Sequence, residues 1–204
     1  MKRLISLTVV LFAFTTLANA QVTHIAGQVT GEFNRDAGYG APNVGAELSG
    51  ALRLNKGVAV VGSIYGERAV KDFKTNGTEI GARVAGRVYP FPFIYGQFGY
   101  SQDGQYNQSY VEVGHSYFAG AGLNFKDRFN IGADYVSNDG TIAQVKRARV
   151  HGDLFLPLSK RLDVKISGEA NFKSSGADLT IAQSLDPRNF TGQGLRLGVG
   201  ISLR

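Results

Sequence analysis

The residues able to do chemistry in this chain are three histidines, sixteen carboxylates, and the hydroxyl residues scattered among them. Cysteine is absent, which removes disulfides, thiolate nucleophiles and thiolate metal ligands together. The one sequence-local acid–base pair is His151-x-Asp153. Residues two apart on a β-strand share a face, and a carboxylate so placed can orient an imidazole for proton transfer. His115-Ser116 has the composition of a dyad but not its geometry, because adjacent strand residues point to opposite faces. His24 stands alone near the start. No His/Asp/Glu spacing matches a metal site, so neither a metal nor a cofactor is expected. Gly120-Ala-Gly122 and Gly198-Val-Gly200 lack the helix pattern that a phosphate loop requires, and their glycines instead let strands bend and approach one another. Asn76-Gly-Thr78, Asn107-Gln-Ser109 and Asn189-Phe-Thr191 are chance matches to a glycosylation pattern in polar loops. No catalytic residue is assigned on this reading, and His151 with Asp153 is read as a structural pair.

The ionisable residues carry a pattern of another kind. In Arg161-Leu-Asp-Val-Lys-Ile-Ser-Gly-Glu-Ala-Asn-Phe172, the residues Leu162, Val164, Ile166, Ala170 and Phe172 fall on one parity. Asp163, Lys165, Ser167, Glu169 and Asn171 fall on the other. That is a β-strand with one apolar and one charged face. The same parity separates Glu32, Glu47, Arg53, Glu67, Arg83, Arg87, Asp134, Arg149, His151, Asp153 and Arg196 from the apolar residues of their own segments. Together with Asp163, Lys165 and Glu169 these form a nearly balanced set of acids and bases, as expected if they pair across a lumen. A solvated sheet surface would look similar strand by strand. Replacing Val164 or Ile166 by Arg is expected to impair membrane insertion, and the same change at Ser167 to be milder.

The elements that must position these residues are strands throughout. The alternation recurs about ten times between Gln21 and Arg204, and eight strands is the alternative count. The connections alternate in length. Long or polar ones fall at Asn34–Pro42, Ala69–Gly77, Ser101–Gly114, Ser137–Gln144 and Lys173–Gln193. Tight ones fall at Asn55–Gly57, Lys126–Arg128 and Pro157–Lys160, and Pro90-Phe-Pro-Phe93 breaks the ladder because proline cannot donate to it. An up-and-down meander gathers all the long loops at one end and the short turns at the other.

Met1 to Ala20 is a secretory signal: Lys2 and Arg3, an apolar run, then Leu17-Ala-Asn-Ala20 as the cleavage pattern, leaving 21–204 as one domain. The formal charge of +6 is mild and contains no Lys/Arg run of the kind nucleic acid selects. Aromatics on the apolar parity gather at strand ends. Phe33, Tyr100, Tyr117, Tyr135 and Phe172 lie toward the long loops, with Phe125 and Phe129 at the opposite rim. Two aromatic belts around an aliphatic band suit a bilayer and its interfaces.

With its signal, its alternating strands and its closing segment Gly194-Leu-Arg-Leu-Gly-Val-Gly-Ile-Ser-Leu-Arg204, the chain resembles the small bacterial outer-membrane β-barrel family, the group with OmpA-like and OmpW-like barrels. It ends on Leu203-Arg204 where family members usually end on an aromatic, and it has no tryptophan. The resemblance implies an all-β, up-and-down antiparallel transmembrane barrel in the outer membrane. It also implies the lipid bilayer and the barrel-assembly machinery as partners, and leaves any external ligand open. The function expected is a structural or surface-interaction role, or a narrow pore with a charge-filled lumen. The alternatives are a barrel enzyme acting on lipid or peptide, and a soluble periplasmic binding barrel.

Overall fold

A computed structural model of the chain describes residues 20–34, 43–69, 78–106, 111–138, 141–174, 179–180 and 182–204. The expected signal segment before Ala20 lies outside them, as do most of the first two long connections. The strands are β1 (Gln21–Asn34), β2 (Asn43–Asn55), β3 (Val58–Ala69), β4 (Thr78–Phe91), β5 (Ile94–Tyr106), β6 (Val111–Phe125), β7 (Phe129–Asn138), β8 (Thr141–Pro157), β9 (Leu162–Ser174), the two-residue β10 (Leu179–Thr180) and β11 (Phe190–Leu203).

Each long strand pairs antiparallel with its sequence neighbours, and β11 closes the ring by pairing with both β9 and β1. The result is a closed ten-strand up-and-down barrel, which settles the strand count at ten rather than eight. Closure leaves no open sheet edge among the ten. β10 is an appendage that extends β8 beyond its pairing with β9, through Leu179 opposite Val145.

The barrel is taller than the alternation in sequence suggests. β5 and β6 run through most of the stretch read as a loop at Ser101–Gly114, pairing Ser101 with Ser116 and Asp103 with Gly114. β7 and β8 likewise extend into Ser137–Gln144, to Asn138 and from Thr141. The stretch read as a loop at Lys173–Gln193 contains the end of β9, β10, two short 3-10 turns and the start of β11. Ladder hydrogen bonds need no apolar side chain. The strands therefore continue where the apolar face has stopped, and a periodicity search loses them there. Pro90 does not end β4 either. The strand reaches Phe91, with pairing skipping from Val88 to Phe91 across a bulge.

The tight turns follow from local chemistry. Asn55 Oδ1 accepts the Gly57 N–H at 2.8 Å. In the three-residue connection Lys126–Arg128, Lys126 and Asp127 sit in left-handed conformations at φ of 53° and 54°. The Arg128 N–H returns to the Phe125 carbonyl at 2.9 Å, and Asn124 Oδ1 accepts the Asp127 N–H at 3.0 Å.

The apolar parity faces outward and the charged parity inward. Val29 is 64% exposed, Val199 60%, Val88 58% and Ile64 57%, while Asp134 and Asp163 are 2% and 1% exposed. Large inward rings are accommodated by glycines on neighbouring strands. Tyr65 lies over Gly81, Phe118 over Gly99, and Tyr95 over both Gly122 and Gly132; a Cβ at any of these would sit far inside contact distance. A small apolar cluster of Ala85, Phe118 and Val136, flanked by Val61, occupies part of the lumen.

Candidate functional site: the charged lumen

Near the short-turn rim, Arg53 on β2 reaches across the mouth to Asp127, 3.3 Å away. Asp163, at the start of β9, is bracketed by Arg128 at 3.2 Å and by a two-point contact from Arg204. His24 faces the lumen here, its ring 5.0 Å from that of Phe155. Deeper in, Lys165 lies 3.2 Å from Asp153 and donates to Ser49 Oγ at 3.0 Å. Asn130 donates to Asp153 and accepts the Tyr95 hydroxyl at 2.8 Å.

The centre of the lumen is organised on Asp134. Arg149 donates to it from Nε at 3.1 Å and Nη2 at 2.6 Å, Gln97 donates at 2.6 Å, and His151 Nε2 lies 3.3 Å away. Arg149 also covers the Phe118 ring at 4.6 Å. Arg83 grips Glu169 at 2.6 Å, and Asn171 donates to the same carboxylate at 2.8 Å. Arg87 bonds Gln97 at 2.9 Å and stacks on Tyr95 at 4.3 Å.

Toward the long loops Arg196 lies 3.4 Å from Glu47 and 2.5 Å from Glu67, over the Tyr65 ring. Glu32 meets the Glu67 carboxyl, Thr30 donates to it at 3.3 Å, and the Tyr65 hydroxyl donates to Asp103. Arg147 stands 3.9 Å from Asp103. Outside the barrel proper, Arg188 forms a two-point contact with Asp186 and holds that exposed carboxyl below its usual range.

These contacts bring together all fourteen charged residues that sequence parity put on one face, in a lumen that holds a cavity of about 170 Å³. The cavity reaches from Thr23, His24 and Tyr89 near the short-turn mouth to Arg83, Glu169 and Arg196 at mid-height. Its lining mixes charged side chains with Ala51, Ala59, Val61, Ala85 and Phe118. His151 and Asp153 do share the inward face, but His151 turns to Asp134 while Asp153 is held by Lys165. His115 is on the outer face, its Nδ1 2.5 Å from the Tyr100 hydroxyl oxygen, opposite in direction to Ser116.

Sequence reasoning missed part of the network. Tyr95, Gln97, Asn130 and Arg147 were available from the same parity that selected the charges. Asp127, Arg128 and Arg204 gave no such signal, because turn and terminal residues have no strand parity.

On the outer face Phe33, Tyr135 and Phe172 stand toward the loop end. Tyr100 and Tyr117, expected at strand ends, instead pair with each other in the middle of β5 and β6, because those strands run on past them; Phe98 stacks on Tyr117 there at 6.3 Å. Phe125 and Phe129 stack at 6.0 Å beside the short turns. The exposed pair Phe91 and Phe93, which the sequence presents as a ladder break, stacks there as well at 6.3 Å.

No protein-family model matches the chain, and no curated protein matches it. Among solved structures it is similar to Neisserial surface protein A, at 8% identity and a TM-score of 0.45, over 90% of this chain and 97% of that one. It is also similar to the KdgM porin solved in complex with disordered oligogalacturonate, at 11% identity and a TM-score of 0.43, over 89% and 99% of the two chains. Outer membrane phospholipase A from Escherichia coli aligns at 12% identity and a TM-score of 0.42, over 88% of this chain and 90% of that one.

Proposed function

We propose that this chain is an integral outer-membrane β-barrel whose lumen is filled by its own paired side chains, with a structural or surface-interaction role carried by its rims and long loops. The observation that carries this reading is the inversion of the usual soluble pattern: aliphatic side chains outward in a continuous band, ion pairs inward. In water that band would be an unpartnered apolar surface around the whole circumference. In a bilayer it is the solvated face, and the closed ladder leaves no open sheet edge in hydrocarbon. The export signature read at Met1–Ala20 supports the outer membrane as location, with the bilayer as surroundings and the barrel-assembly machinery as partner during insertion. The OmpA-like and OmpW-like resemblance belongs with this reading.

A non-catalytic role is favoured because Asp134 and Lys165 engage His151 and Asp153 separately, deep in the lumen. A second reading, a narrow pore, is favoured by the cavity that already reaches half-way from the short-turn mouth. Single-channel recording in planar bilayers separates the two. The chain without its first 20 residues is expected to show no steady open current. A steady, ion-selective current would replace the plugged reading by the pore.

A further inference from the structure

The short-turn rim carries a group of exposed cations. Lys56 in the β2–β3 turn, Lys126 in the β6–β7 turn, and Lys160 and Arg161 in the β8–β9 turn are all exposed. None has a carboxylate partner among the described residues. The two carboxylates at this rim, Asp127 and Asp163, are already engaged by Arg53 and by Arg128 with Arg204. At the loop end Asp186 faces Arg188 and Asp103 faces Arg147, while Lys146 and Lys173 are exposed cations outside the aromatic residues of that end.

The cations also sit at a particular depth. In the β6–β7 hairpin the aliphatic residues give way to Phe125 and Phe129, with Lys126 immediately beyond. The β4–β5 turn adds Phe91 and Phe93 to the same rim, and Lys56, Lys160 and Arg161 stand in the other two turns of that rim. Hydrocarbon, interface and phosphate follow one another in that order across one leaflet of a bilayer. A cation just outside an aromatic belt is at headgroup level, where long basic side chains keep their charge in the polar layer.

We propose that the short-turn rim is a docking surface for the phosphate headgroups of anionic glycerophospholipids in the leaflet it faces. This rests on the membrane reading above. Each cation beside an anionic surface strengthens association about fivefold, and four spread over three turns engage separate headgroups around the circumference.

The test uses the chain without its first 20 residues, refolded in detergent micelles doped with phosphatidylglycerol, phosphatidylcholine or lipid A. Retained lipid is counted by native mass spectrometry beside the K56Q/K126Q/K160Q/R161Q variant. The parent is expected to retain phosphatidylglycerol over phosphatidylcholine, and the variant to lose that preference roughly tenfold or more. K126Q alone and K160Q/R161Q should each lose part of it, which keeps the test decisive if the fourfold variant fails to fold. Equal retention of the two phospholipids by the parent overturns the inference. So does a preference unchanged in the variants, or stronger retention of lipid A or of added peptidoglycan fragments than of phosphatidylglycerol. A chain that gives no heat-dependent gel mobility in any detergent overturns the membrane reading itself, and is told apart by that gel.

Discussion

Asp134→Ala should destabilise the barrel by about 3–5 kcal/mol, measured by urea unfolding in lipid vesicles. The size follows from what the substitution leaves behind. Arg149 has 5% of its side chain exposed and directs two N–H groups at Asp134, which also takes a bond from Gln97 and faces His151. Taking the carboxylate away strands a guanidinium inside a closed wall, with Phe118 against it and no other acid within 4 Å among the described residues. The cost is that of the uncompensated charge rather than the net worth of the pair. The combination Asp134→Leu with Arg149→Met, which removes both charges, should therefore cost less than the single change. Asp186→Ala provides the contrast. Its pair with Arg188 is exposed and screened by solvent, so the loss should leave the unfolding midpoint essentially where it was. A small effect at Asp134 would mean that the central network is open to bulk water.

Val199→Arg should cost about 2–4 kcal/mol of insertion free energy, the range for a cation on the lipid face of a barrel near the bilayer midplane. Val199 is directly opposite Val29 on one side and Ile166 on the other, so three bulky aliphatic residues form a row across β1, β11 and β9. An Arg in that row must either sit in hydrocarbon or drag water to itself. Ile166→Arg should behave alike. Ser167→Arg enters the lumen instead, one residue along from Ile166 and opposite Asp153. It crowds Gln28, to which Ser167 now donates at 2.9 Å, but its charge has carboxylates within the same lumen. Folding yields into vesicles should fall steeply for the first two and mildly for the third. Equal yields would sink the assignment of faces.

The barrel was readable in sequence wherever two environments differed. From Arg161 to Phe172 every second residue meets apolar surroundings, so the parity is clean, and the inward direction of Asp163, Lys165 and Glu169 follows from it. At Ser101–Gln105 both faces are polar, and in the Val111–His115 stretch of β6 only Val111 and Val113 are apolar, so strands that pair residue for residue look like loop. Parity also says which face a residue takes but not which partner it meets. That His151 would find Asp134 on the adjacent strand, rather than Asp153 two residues away, depends on the stagger between β7 and β8. The Arg204 contact with Asp163 depends on the register of β11 against β9, which sets Leu203 opposite Leu162 and so brings Arg204 beside the β8–β9 turn. The glycine seats under Tyr95 have the same origin, since Gly122 and Gly132 lie on two different strands.

The account stands on the outward band being a lipid-facing surface, and gel mobility tests that most directly. The chain without its first 20 residues would be refolded in phosphatidylcholine vesicles and, separately, in plain buffer, then run boiled and unboiled. A compact form that needs vesicles to appear and shifts on boiling is the predicted result. A monodisperse, β-rich protein in plain buffer would contradict it, and would mean that the aliphatic band meets something other than a membrane.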